Sequence, residues 1–362
     1  MQHIDTTGMV NAPSDAGSTQ PGFTVWPAQS PPGSFNADNG GTEYFLSSNA
    51  ADEATHPAAG TGGNYVSNQI VLWTLGNTSS LNSAPALSLG TKLLDVGTYA
   101  MPPKQQQPGS GTAPGITAAQ GHCINDTSTL LFNGQTGCWR LLFGGEPAHN
   151  EVISRPDSND TRMQQVFYAN GKVWGALDTA LRPDGGPTRA GIAWYIVNPN
   201  AGKVVQSGYL GSTGHDFTYP AVAVLGNGRG IMAFTDTGDS NNPSAAYASI
   251  DANAGIGEWN DVTGGAGANP DDGFTSYKAQ VGGNPPRTRW GDYGAAAVDG
   301  NTIWIASEIT ATHPCNYLDW GGPFFAGGTG DNLLGTCGGA NHAAGNRAAL
   351  GNWSTFISNF TP

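Results

Sequence analysis

The chain has 362 residues, with 54 Gly, 24 Pro and 10 Trp, and 38% of it is apolar. Its 14 Lys+Arg against 27 Asp+Glu give a formal charge of −13, which argues against nucleic acid and anionic membranes as partners, since both are held by clustered cations. Helical periodicity nowhere lasts beyond a few turns, and no apolar run approaches the ~20 residues that span a bilayer, so neither a helical bundle nor a membrane helix is expected.

Residues 1–21 are Ser, Thr, Pro, Gly and Asp without periodicity and read as a polar tail preceding one domain over 22–362. Four alternating runs follow at 24–28, 42–47, 69–75 and 87–96, separated by Gly, Asn, Pro or Ser clusters, as in an antiparallel meander. Residues 101–120, opening MPPKQQQPGSGTAPG, form a Pro- and Gly-rich crossover with no strand pattern. A hairpin is expected within 123–146, turning at Asn133-Gly134. Three more recur at 162–180, 219–237 and 293–309, turning at Asn170-Gly171, Asn227-Gly228 and Asp299-Gly300. These dipeptides supply the positive φ of tight hairpin turns. A third run follows each hairpin, at 191–197, 245–251 and 353–358, and a fourth follows the first two, at 204–210 and 257–262.

A recurring unit of four antiparallel strands predicts an all-β fold, a β-propeller of four-stranded blades. Five blades fit best, within a range of four to six. The small residues of Tyr293-Gly-Ala-Ala-Ala-Val298 suit a first strand crowded around an axis. A β-sandwich also uses short strands but leaves the repeated decoration unexplained.

The four cysteines fall into two sequence-local pairs, Cys123 with Cys138 and Cys315 with Cys337, and neither has zinc-ligand spacing. They read as two disulfides and hence a secreted or cell-surface protein. The second would close the aromatic, Gly-rich loop 315–337, as a platform over the axis or as a clasp near the chain's end.

The segments TRMQQVFYANGKVWGALDTAL, TYPAVAVLGNGRGIMAFT and RWGDYGAAAVDGNTIWIASE resemble parts of uncharacterised secreted bacterial proteins of the sialidase-like, BNR-type propeller superfamily. The resemblance implies a propeller and, by analogy, activity on glycans. The Asp-box pattern Ser-x-Asp-x-Gly-x-x-Trp is absent, and no arginine triad carries over.

The hairpins place chemistry at one end. Asp178, Asp236 and Glu308 close the second strands, seven, eight and eight residues after the turn glycines. Asp160 with Arg162, Asp216 with Tyr219, and Arg289 with Asp292 open the first strands. In antiparallel hairpins these ends are neighbours, so the groups are expected on one face of the disc. Acids in such a ring raise one another's pKa, and glycoside hydrolysis needs one protonated and one ionised carboxyl. Asp292 and Glu308 are the expected catalytic pair, with Asp216 tuning them or holding a water. Arg162 and Arg289 would grip a sugar in bidentate fashion, Tyr219, Trp290 and Tyr293 would stack on it, and Asp178, Asp236 and His215, the last as a general base, would complete the face. The bland alternative is that the repeated acids lock neighbouring blades.

The other signals are sparse. Residues 157–160 and 236–242 are oxygen-rich clusters that suit structural calcium or serve simply as solvated turns. No other cofactor is expected. The leading expectation is a glycoside hydrolase or lyase acting on an extracellular polysaccharide. A non-catalytic glycan- or protein-binding propeller and a filament-forming extracellular protein are the alternatives.

Overall fold

The computed structural model describes residues 23–49, 66–108, 110, 131–132, 135–136, 155–268, 270–271, 290–310 and 353–362. The described residues form an all-β fold. The first blade is β1 (Phe23–Gln29), β2 (Thr42–Ser48), β3 (Val66–Gly76) and β4 (Ser88–Ala100). A two-residue pair follows, β5 (Leu131–Phe132) with β6 (Gln135–Thr136), and the expected Asn133-Gly134 turn lies outside the described residues. The second blade is β7 (Val166–Ala169), β8 (Lys172–Leu181), β9 (Arg189–Asn198) and β10 (Lys203–Leu210). The third is β11 (His215–Val224), β12 (Arg229–Gly238), β13 (Ser244–Asp251) and β14 (Gly255–Asp261). The last has β15 (Ala295–Asp299), β16 (Thr302–Thr310) and β17 (Trp353–Phe360). Within each blade neighbouring strands are antiparallel in chain order.

The blades meet through their first strands, which run parallel. Ala28 of β1 pairs with Val166 of β7, joining the first two blades into one eight-stranded sheet, and Gln165 bridges to Ala221 of β11. That arrangement is a propeller's and not a sandwich's. At the axis, the buried Gln165 amide accepts from Ala296 N–H at 2.8 Å, donates to Ala296 O at 2.6 Å and reaches Gln29 at 3.0 Å. One side chain thus pins first strands of three blades, and its Cα bridge reaches the fourth.

Sequence pattern explains the radial order. β11 and β12 are buried almost throughout, because sheets cover both faces, and they read as unbroken small and apolar runs such as Ala221-Val-Ala-Val224. The peripheral strands β10 and β17 alternate, with one face in water. One core lies among the second, third and last blades around Trp174, Phe217 and Phe234, and another lies between the first two around Leu46, Ile70 and Leu72.

The two faces of the disc differ. On one, the hairpins turn tightly on glycines at positive φ (Gly171 +66°, Gly228 +88°, Gly300 +59°), and the longest connection is the twelve residues between Gln29 and Thr42. On the other, the chain leaves and returns between Ser48 and Val66, Ala100 and Val166, Asp261 and Ala295, and Thr310 and Trp353. All the long connections therefore open from one side, the loop face. The two expected disulfides, Cys123 with Cys138 and Cys315 with Cys337, lie outside the described residues, so both pairings rest on sequence spacing alone. Arg289, the tail 1–21 and the loop 315–337 lie outside them too.

Candidate functional site

The loop face carries the second-strand ends and first-strand starts, and the acids there fall into three groups. The axial group gathers Asp160, Arg162, Asp178, Tyr219, Asp292, Tyr293 and Glu308. Arg162 forks onto Asp160, donating through Nε at 2.8 Å and through Nη2 at 2.7 Å, and reaches the Tyr293 hydroxyl at 3.2 Å. The hydrogen bonds to Asp160 raise the guanidinium pKa and hold it charged. Tyr293 is exposed, with its ring 4.9 Å from that of Trp26.

Asp178 is wholly buried. Its Oδ1 accepts the Tyr219 N–H at 2.9 Å, and its Oδ2 has no partner among the described residues. Burial raises its pKa well above the ordinary carboxylate value, and the charges of Asp160 and Asp157 add to the effect. Glu308 is half-buried, and burial pushes its carboxyl up to about 7. The Gly291 N–H bond opposes that shift, and the charge of Asp292 reinforces it. Asp292 itself is exposed. Two neighbouring acids thus sit in unlike environments. Trp290 is buried with no partner for its indole N–H among the described residues, so it is not presented as a surface platform.

The second group is a seam between blades. Asp216 is fully buried, with Oδ1 accepting from Ala190 N–H at 2.8 Å and Oδ2 from Gln106 N–H at 2.8 Å and Arg189 Nη1 at 3.2 Å. Arg189 also pairs with Asp239. Among the described residues the hydrogen-bond partners of Asp216 are Ala190, Gln106 and Arg189, and not Asp292 or Glu308. Its three hydrogen bonds come from two backbone N–H groups and Arg189, the pattern blade-locking requires.

The third group lies outward on the third blade. Buried Asp236 accepts from His215 Nδ1 at 2.9 Å and from Asn241 Nδ2 at 2.9 Å. The His215 ring stands 4.9 Å from Trp259. The Asp236 hydrogen bond, together with the charges of Asp236, Asp261 and Asp216, raises the His215 pKa against its burial. Asp261, at the end of β14, shares a side-chain hydrogen bond with Asp236 and has a raised pKa, mainly from burial. His215 is therefore partnered by Asp236 across the hairpin and not by its sequence neighbour.

A strap crosses this face. In Gln105-Gln106-Gln107, Gln105 donates to Asp157 O at 2.6 Å and accepts from Thr237 at 2.9 Å, and Gln107 donates to Asp271 O at 2.9 Å. In sequence this stretch shows only a Pro- and Gly-rich crossover. The hairpin pattern did not point to Arg189 or Asp261, and Asp239 was expected only as part of the oxygen-rich cluster 236–242. Arg189 and Asp261 share the signal used for the other residues, a charge at a loop-face strand end, and were overlooked because they fall on third and fourth strands. The residues of 157–160 are all buried, and Asp160 is engaged by Arg162, so they are not a solvated turn.

The opposite face has a cleft of about 440 Å³, lined by residues including Pro31, Pro32, Leu225 and Val298, with Asp299 as its one ionisable residue.

No family model matches the chain, and no curated protein matches it. Among solved structures it is similar to a protein of unknown function from Dyadobacter fermentans (10% identity, 81% of this chain, 76% of that chain, TM-score 0.28). It is also similar to Penicillium chrysogenum alpha-L-arabinanase complexed with arabinobiose (9% identity, 78% and 71%, TM-score 0.32) and to a thermostable family-43 glycoside hydrolase (9% identity, 80% and 86%, TM-score 0.27). Likeness at this level assigns neither a residue nor an activity to this chain, and the resemblance to sialidase-like propellers rests on the quoted segments alone.

Proposed function

We propose that this protein is a secreted, carbohydrate-active propeller that hydrolyses a glycosidic bond in an extracellular polysaccharide, with Glu308 as general acid and Asp292 as base or nucleophile. One observation carries the reading: on the loop face the half-buried Glu308 carboxyl, whose pKa burial pushes up to about 7, neighbours the exposed Asp292. Glycoside hydrolysis requires such a division, because one carboxyl must deliver a proton to the leaving oxygen while the other stays ionised. Arg162, fixed by Asp160, and the exposed Tyr293 ring supply a donor and an apolar surface for a sugar. Disulfides joining Cys123 to Cys138 and Cys315 to Cys337 belong to the same proposal, as bridges that persist in an oxidising compartment.

The test is release of reducing ends from a panel of plant, algal and bacterial polysaccharides by wild type, Glu308→Gln and Asp292→Asn. Release by wild type that falls at least ~100-fold in both variants, within the range general acid–base catalysis contributes, supports the reading. Undiminished release by the variants removes these two residues from the chemistry. A second reading is glycan binding without turnover, favoured by the exposed Tyr293 ring beside Trp26. Retention on an immobilised glycan without product would select it.

A further inference from the structure

Three blades are linked by one series of contacts that ends at Glu308. It begins at Asp178, at the end of β8, whose Oδ1 accepts the Tyr219 N–H at 2.9 Å. Tyr219 interrupts the β11–β12 register between Thr218 and Ala221 and sits at φ +58°. A non-glycine residue at positive φ is strained and persists only where its surroundings over-determine it. Here the backbone N–H is held by Asp178, and the phenol donates to Asp157 O at 2.9 Å, so the ring is fixed at both ends.

Against that ring lies Gly291, itself at φ +60°. A β-carbon there would stand 3.2 Å from each of three Tyr219 ring atoms, Cγ, Cδ1 and Cδ2. Only glycine reaches this approach without displacement. The Gly291 N–H then donates to the Glu308 carboxyl.

We propose that Asp178 is a positioning residue that, through the Tyr219 backbone and ring and the Gly291 loop, fixes the N–H donor of the Glu308 carboxyl. The role of Glu308 as the reaction's acid is that of the function proposed above, but the positional claim is read without substrate. Asp178 acts here as an acceptor, so an amide oxygen in its place serves equally well.

The experiment follows the six glutamate side chains by carbon-13 NMR across pH in the full chain, with Glu308 assigned by Glu308→Gln. Asp178→Ala frees Tyr219, the Gly291 donor shifts, and the Glu308 midpoint rises by at least one unit, a tenfold change. Asp178→Asn keeps the acceptor and holds the midpoint within a few tenths of wild type. Gly291→Ala, which leaves Asp178 intact, raises the midpoint as Asp178→Ala does and serves if the latter does not fold. A midpoint unchanged or lowered in folded Asp178→Ala or Gly291→Ala overturns the proposal. So does an Asn variant that behaves like Ala. Loss of activity with the series intact would reject the hydrolase reading alone, because the titration needs no turnover.

Discussion

Glu308 and Asp236 occupy equivalent hairpin positions, yet the first has an exposed acid beside it and the second a histidine. Their consequences for pH run through different groups. Glu308 has its folded pKa raised from 4.5 to about 7, so the native state binds more protons than the unfolded chain in that interval. Its neutral form is accommodated at low pH, and stability is lost as pH rises from about 4.5 to 7. Glu308→Gln is therefore expected to match wild type in urea unfolding near pH 4.5 and to exceed it by about 1–3 kcal/mol at pH 8. His215 has its folded pKa raised above 6.5 by Asp236. Its pairing contributes fully below 6.5 and is lost as pH rises through the folded value, so His215→Gln should flatten that part of the stability profile. An unaltered slope would show that the pair is not coupled to folding. Sequence placed these acids at one end of their hairpins but could not pair them. His215 stands next to Asp216 in the chain, whereas its ring meets Asp236 across the hairpin, and side-chain direction depends on a register that adjacency does not reveal.

Strands were legible where pattern and turn chemistry agreed. The expected runs 42–47 and 69–75 became β2 and β3 with one to three residues added at an end, and each Asn-Gly or Asp-Gly turn among the described hairpins formed where it was read. The Gln105-Gln106-Gln107 strap was not legible, because its order comes from hydrogen bonds to distant carbonyls and carboxylates and not from periodicity. Its buried amides are its attachment to the disc. Gln105→Ala leaves the Thr237 hydroxyl without its acceptor, while the Asp157 carbonyl keeps the Tyr219 hydroxyl as donor, and should cost about 1–3 kcal/mol in urea unfolding. A cost below about 0.5 kcal/mol would show that water replaces the strap's bonds.

Seen whole, the molecule puts tight turns on one face and long connections on the other, the division expected where a rigid scaffold presents working loops. Repetition of the hairpin made the propeller readable, but the parallel joining of β1 to β7 and the Gln165 pin were not, since both are contacts between units. Gln165→Leu removes a reciprocal amide–backbone pair from the axis and should destabilise by about 2–4 kcal/mol, with the loss read as a lower unfolding midpoint at unchanged m-value. The most direct test of the whole account compares one variant from each acid group, Glu308→Gln, Asp216→Asn and His215→Gln, on a polysaccharide that the wild type cleaves. Turnover should collapse in Glu308→Gln, while the other two keep kcat within a few-fold at a temperature where they are folded. Loss of turnover at the seam or the outer histidine, with Glu308→Gln still active, would contradict the account and move the chemistry off the axis.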